Sequence, residues 1–140
     1  MPDHPLTERL WALSAAFHAR LARELAALDL TVAELRLVGE VMRAEGGLRQ
    51  GELAALLSVR PPTVSAALAR LEAAGVVVRE RDPADPRARL VKVAPDAPLE
   101  RGLAALDRME RAAAAPLSAT DRRRLPRVLD GMIAALEDDA

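Results

Sequence analysis

The chain has 140 residues, 51% of them hydrophobic, and 20 basic against 21 acidic side chains give a net charge of −1; this length builds one domain with a genuine core and is short for two. The lack of cysteine excludes a disulfide framework, thiolate metal sites and thiol-based redox sensing, and two histidines, His4 and His18, leave almost nothing for a metal site. No run approaches the roughly 18 apolar residues of a membrane span, and the first residues alternate charge with leucine, so a soluble cytoplasmic protein with no membrane partner is expected.

In chain order, Leu6, Leu10, Leu13, Phe17, Leu21, Leu25 and Leu28 recur three or four residues apart, the period of one face of a long amphipathic helix. That stripe is longer than a small domain needs to cover its own core, so part of it is expected to meet another chain. Trp11, Ala15, His18 and Ala22 form a neighbouring stripe. Asp29-Leu30 breaks the pattern, and Thr31-Val32-Ala33-Glu34 is a capping box opening a second helix through Leu35, Val38, Val41 and Met42. Gly46-Gly47 closes it.

From Arg49 to Val93 the periodicity changes twice. Leu53, Leu56 and Leu57 share one face of a short helix, and Ser58-Val59-Arg60 is a break. A second helix opens on Pro61-Pro62, where the first amides lack intrahelical partners anyway; it carries Val64, Leu68 and Leu71 on one stripe and ends at Gly75, free to adopt a left-handed cap. Its opposite side holds Pro62, Ser65, Ala66, Ala69 and Ala73, with Thr63 and Arg70 at the margin. This face is narrow and small-chained, so another surface can approach it closely. Val76 to Arg81 and Arg87 to Val93 then flank the turn Asp82-Pro83-Ala84-Asp85-Pro86, the pattern of a β-hairpin, with Leu48 placed to add a short third strand. Arg79, Arg81, Arg87 and Arg89 make the hairpin basic. Charge follows the same division: residues 48–92 hold eight Lys/Arg against five acids, whereas residues 1–47 hold five against seven and residues 93–140 seven against nine. A near-neutral chain therefore concentrates its positive charge where a duplex would be gripped.

Helix, helix, two-stranded ribbon is the order of a winged helix-turn-helix. These residues resemble the MarR (multiple antibiotic resistance regulator) transcription factors: Glu52-Leu53-Ala54, Pro62-Thr63-Val64-Ser65, Leu71-Glu72-Ala73-Ala74-Gly75-Val76-Val77-Val78-Arg79, and above all Asp85-Pro86-Arg87 before Leu90-Val91-Lys92-Val93, in the place of that family's D-x-R wing signature. The resemblance implies a mainly α fold with a small β wing. It also implies one domain over 1–140, in which residues 31–94 read DNA and 1–30 with 95–140 form a helical dimerisation body.

The C-terminal part fits that plan. Pro95 and Pro98 mark a corner; Leu99, Leu103, Leu106 and Met109 define a fifth helix ended by Pro116; and Ser118-Ala119-Thr120-Asp121 opens a sixth carrying Leu125, Leu129, Met132, Ile133 and Leu136, with Pro126 expected to bend it. Arg122-Arg123-Arg124 reads as a solvated face or a cross-subunit ion-pair surface. Two copies intertwined through these ends would hold two readers about one helical turn (roughly 10 bp) apart.

As DNA-binding residues the resemblance and the chemistry nominate Arg60, Pro62, Thr63, Ser65, Arg70, Arg87 and Arg89: Thr63 and Ser65 as donors to bases or phosphates, Pro62 against a thymine methyl, Arg60 and Arg70 on phosphate or guanine, and Arg87 in the minor groove. Asp85 is expected to orient Arg87 through a bidentate pair. The sequence departs from the family at Ala66, often arginine there, and at Arg60, often a capping serine, which shifts specificity from base readout toward shape. The bland counterparts are a surface helix and a solvated hairpin tip. Because the family often binds small, frequently aromatic acids in a cleft, Trp11, Phe17, His18 and Met42 are candidate lining of an effector pocket, with core packing as their ordinary reading. The expected protein is a homodimeric, ligand-responsive repressor on a near-palindromic operator, with no cofactor, no metal and no catalytic residues. The alternative is a dimeric winged-helix adaptor without specific DNA binding.

Overall fold

The computed structural model describes residues 3–138. Its elements run α1 (Pro5–Ala26), α2 (Val32–Arg43), β1 (Leu48–Arg49), α3 (Gln50–Leu57), α4 (Pro61–Ala73), β2 (Val77–Arg81), β3 (Arg89–Val93), α5 (Glu100–Ala114) and α6 (Ala119–Glu137). The fold is mainly helical, a winged helix with a small antiparallel sheet ordered β1-β3-β2.

Local chemistry sets most boundaries. The capping box at α2 forms in full: Thr31 Oγ1 accepts the Glu34 amide at 3.1 Å, and Glu34 Oε2 accepts the Thr31 amide at 2.9 Å. α3 stops where Ser58 turns left-handed at φ 53°. Helix α4 ends on Gly75 at φ 72°, where the Gly75 amide donates to Glu72 O at 3.0 Å and the Val76 amide reaches back to Leu71 O at 2.9 Å. That bond pair is a Schellman cap, which satisfies two carbonyls the helix would otherwise strand. The sequence places each of these stops correctly.

The core joins α2, α3, α4 and the sheet through Leu37, Val41, Leu53, Leu68, Leu71, Val77 and Val91, each at most 3% exposed. A leucine buried this completely contributes about 1.5–3 kcal/mol relative to exposure, so Leu53 and Leu68 fix α3 and α4 against each other. Gly47 lets the chain enter β1: it sits at φ +86°, and a Cβ there would lie 2.8 Å from both Val91 O and Lys92 Cγ.

The backbone groups into two compact units that divide between Leu106 and Asp107. The winged helix lies in the first. There α1 buries only Leu21 and Leu25, and every residue from 3 to 20 is exposed. Trp11 is 71% exposed, Phe17 40% and Met42 48%, and His18 is exposed as well, so the reading of these four as core does not hold within one chain. In the second unit, α6 opens on Ser118, whose Oγ accepts the Asp121 amide at 3.1 Å, and it buries none of its residues. The helix runs on through Pro126, whose nitrogen has no hydrogen to give Arg122 O. Leu125, Leu129, Ile133 and Leu136 are all exposed along it.

Candidate nucleic-acid interface

Helix α4 turns Val64, Leu68 and Leu71 inward, which leaves Pro62, Thr63, Ser65, Ala66 and Ala69 exposed on the other side. The small side chains let the helix backbone come close to a partner. The N-terminus is unusual for an anion site. Pro61 and Pro62 carry no amide hydrogen, and the Thr63 amide donates to Arg60 O at 3.0 Å. A phosphate at this end must therefore be held by side chains, Arg60 or the Thr63 hydroxyl, because the backbone donors of a typical helix start are missing or used.

The wing pairs Val77 with Val93, Arg79 with Val91 and Arg81 with Arg89. Arg87 lies in the tip loop and not in a strand, since β3 begins at Arg89. At the tip, Asp85 Oδ1 accepts the backbone amide of Arg87 at 3.0 Å, and the Ala88 amide closes onto Asp85 O at 3.0 Å. The expectation of a bidentate pair between Asp85 and the Arg87 guanidinium is corrected accordingly. Asp85 shapes the loop backbone under Arg87 because a short carboxylate two residues back reaches the amide first. Among the described residues, no hydrogen bond or ion pair engages the guanidinium groups of Arg60, Arg81, Arg87 and Arg89, all of them exposed.

Arg70 departs from its expected role. Its Nη2 donates to Asp29 O at 3.1 Å, and its Nη1 lies 3.2 Å from Oε1 of the buried Glu34. The side chain bridges α4 to the turn between α1 and α2, away from the phosphate-holding place the sequence suggested. Arg79 lies near Glu72, 3.2 Å away, and near Gln50, so the strand arginine is also engaged within the chain.

Sequence reasoning missed the clamp at the base of the wing. Asp82, 6% exposed, accepts Arg49 Nε at 2.9 Å and Nη2 at 2.5 Å on one oxygen and the Ala84 amide at 2.8 Å on the other. The Ala84 amide first, and then Arg49, hold the Asp82 carboxyl below the usual carboxylate range; the bond to Asp82 in turn raises Arg49. The partners are 33 residues apart, and the available signal was the β1 register, which sets Arg49 opposite Leu90.

An open cleft of about 990 Å³ lies among α2, the end of α4 and the start of α5. Met42 lines it; Trp11, Phe17 and His18 do not. No group of His, Asp and Glu among the described residues could hold a metal ion, and no helix there is long and apolar enough to cross a membrane.

An exposed small-faced helix beside an arginine-tipped wing defines a winged-helix protein of the transcription-regulator type. Residues 28–88 match the sequence model of the MarR family. The whole chain is similar in fold to solved MarR-type structures. It is 28% identical to MarR, covering 97% of this chain and 99% of that one at a TM-score of 0.74. It is 26% identical to a probable transcriptional regulator from Pseudomonas aeruginosa, covering 94% and 99% at 0.75. It is likewise 26% identical to a MarR family protein of Mycobacterium tuberculosis solved in complex with salicylic acid, covering 94% and 98% at 0.75. No protein with a curated description matches the sequence.

Proposed function

We propose that the chain is a sequence-specific double-stranded DNA-binding transcriptional regulator, a ligand-responsive repressor that works as a homodimer on a near-palindromic operator. The observation that carries this reading is the pairing of a small-chained, exposed α4 face with a wing tip whose Arg87 and Arg89 are solvent-facing and unengaged. Cations left without internal partners are available to phosphate oxygens and to the narrow minor groove. In this reading Ser65, Thr63 and Pro62 meet the major groove, Arg60 holds phosphate, and Arg87, with its backbone set by Asp85, enters the minor groove. Residues 1–30 and 95–140 form the dimerisation body of one domain; the bare apolar stripes of α1 and α6 support this, because apolar patches of that length mark interaction surfaces. The Mycobacterium tuberculosis protein solved with salicylic acid supports a small aromatic acid as effector.

The test begins with selection of bound fragments from genomic DNA, followed by anisotropy titration of the enriched site. Arg87→Ala is expected to lower affinity about tenfold or more while sedimentation still shows a dimer; equal affinity rejects the wing assignment. The two prolines and the alanines at 66 and 69 favour a second reading, a dimeric adaptor with no specific DNA site, and a selection that enriches no sequence would establish it over the first.

A further inference from the structure

Past the last pairing of β1, Arg49 with Leu90, the hairpin continues as two strands and a loop. A two-stranded ribbon holds its shape poorly by itself. Of residues 82–89 only Asp82 is buried, so apolar packing contributes little to holding the tip. The Asp82 amide donates to Ala88 O at 3.1 Å as the last rung before the loop that carries Arg87. Among the described residues, the side-chain hydrogen bonds that tie 82–89 to another element are those between Asp82 and Arg49, at 2.9 and 2.5 Å. Arg49 is itself held at both sides: its backbone lies opposite Leu90 of β3, and its amide donates to Glu52 Oε2 in the first turn of α3 at 2.7 Å. It stands in one row with Leu90 and Glu80, out of step with the row of Leu48 and the buried Val91, and so lies on the sheet face turned from the core.

Resting on the DNA-binding reading above, we propose that Arg49 and Asp82 are positioning residues that aim Arg87: the pair ties the wing tip to the start of α3, and DNA affinity depends on it although neither side chain touches DNA. Arg49 works as a strut that crosses β3 and grips the hairpin where β2 ends. Without it the tip is held by the β2–β3 ladder alone and swings about Asp82, and Arg87 must be ordered again each time it enters a groove. That ordering is a cost of binding which a preset tip avoids. The strut also gives a buried acid a place in a basic wing. A carboxylate that were only a bystander there would repel phosphate, and its removal would tighten DNA binding. A carboxylate that sets the pose of the tip gives the opposite sign.

Anisotropy titrations of the full chain on the selected operator test this, at a temperature where circular dichroism shows every variant folded. Asp82→Asn keeps an oxygen for the Ala84 amide and offers Arg49 no charge, so it should weaken binding on the order of fivefold. Arg87→Ala should then cost clearly less in the Asp82→Asn background than in the parent. Arg49→Met should likewise add little to Asp82→Asn, whereas an Arg49 that met phosphate directly would add its full effect. Independent roles would leave each of these pairs additive. Hydrogen exchange without DNA reads the strut itself: the amides of 85–88 should exchange about tenfold faster in Asp82→Asn and in Arg49→Met, with those of α4 unchanged. Unchanged or tighter operator binding by Asp82→Asn, an additive cost in either double variant, or unaltered exchange at the tip would each overturn the proposal. Absence of any operator binding by the parent chain would instead strike the regulator reading, and hydrogen exchange would still decide whether the pair holds the tip.

Discussion

Asp82 takes a guanidinium and a turn amide on its two oxygens, and both contacts favour the ionised carboxyl, first the Ala84 amide and then Arg49. Its folded pKa is therefore lower than that of the unfolded chain. A depressed carboxyl contributes stability that is fully present above the unfolded value, about 3.9 for aspartate, and is lost as pH falls through the folded one. Asp82→Asn is thus expected to lower Tm at neutral pH, with the gap between variant and parent closing as pH drops below about 4. Thermal melts across that range check it, and a gap that widens in acid would contradict the clamp. The raised Arg49 is charged at every working pH and adds no titration of its own. Arg87 and Asp85 show how fine the residue scale is: the sequence suggested a carboxylate–guanidinium pair, whereas the contact runs to the Arg87 amide, and that leaves the guanidinium free.

At the scale of elements, the wing sheet depends on how closely β1 can approach β3. Leu48 pairs with Val91 and Arg49 with Leu90, and the approach is possible because Gly47 has no Cβ and tolerates φ +86°. Gly47→Ala would press a methyl against the Val91 carbonyl in a backbone region that L residues avoid, so a loss of about 2 kcal/mol or more is expected. A urea titration measures it, and an unchanged midpoint would mean that the strand can step away at no cost. Helix α4 is short, and its register is set by Val64, Leu68 and Leu71 beneath it, so a cavity there should tilt the reader. Leu68→Ala is expected to cost about 2–5 kcal/mol in the same titration.

For the whole molecule, the decisive quantity is apolar surface that one chain leaves bare. On α6 Ile133 is 53% and Leu136 77% exposed, and on α1 Leu6 is 61% exposed, which a soluble monomer of this size rarely sustains in continuous stripes. Ile133→Glu is expected to convert a dimer to a monomer in sedimentation and, by separating the two readers, to weaken operator binding by well over tenfold. A variant that stays dimeric would exclude α6 from the interface. Operator affinity should also fall steeply with salt, log K against log salt having a slope of about −0.9 per phosphate engaged; a flat response would contradict a grip built on Arg60, Arg87 and Arg89.

The sequence by itself determined the elements and their order, because helix stops and starts rest on local chemistry: the Thr31–Glu34 box, Pro61 at a first turn, Gly75 in a left-handed cap, and a proline–aspartate turn between β-branched runs. It also determined which face of α4 is buried, since Val64, Leu68 and Leu71 follow the helical period. Tertiary structure alone decided which charges are spent and which stay free. Arg70 and Arg87 are the same residue type in the same basic segment, yet one meets Asp29 and Glu34, brought near from 41 and 36 positions away, and the other meets solvent. Ion pairs form between whatever the fold brings within about 4 Å, and periodicity carries no information about such distances.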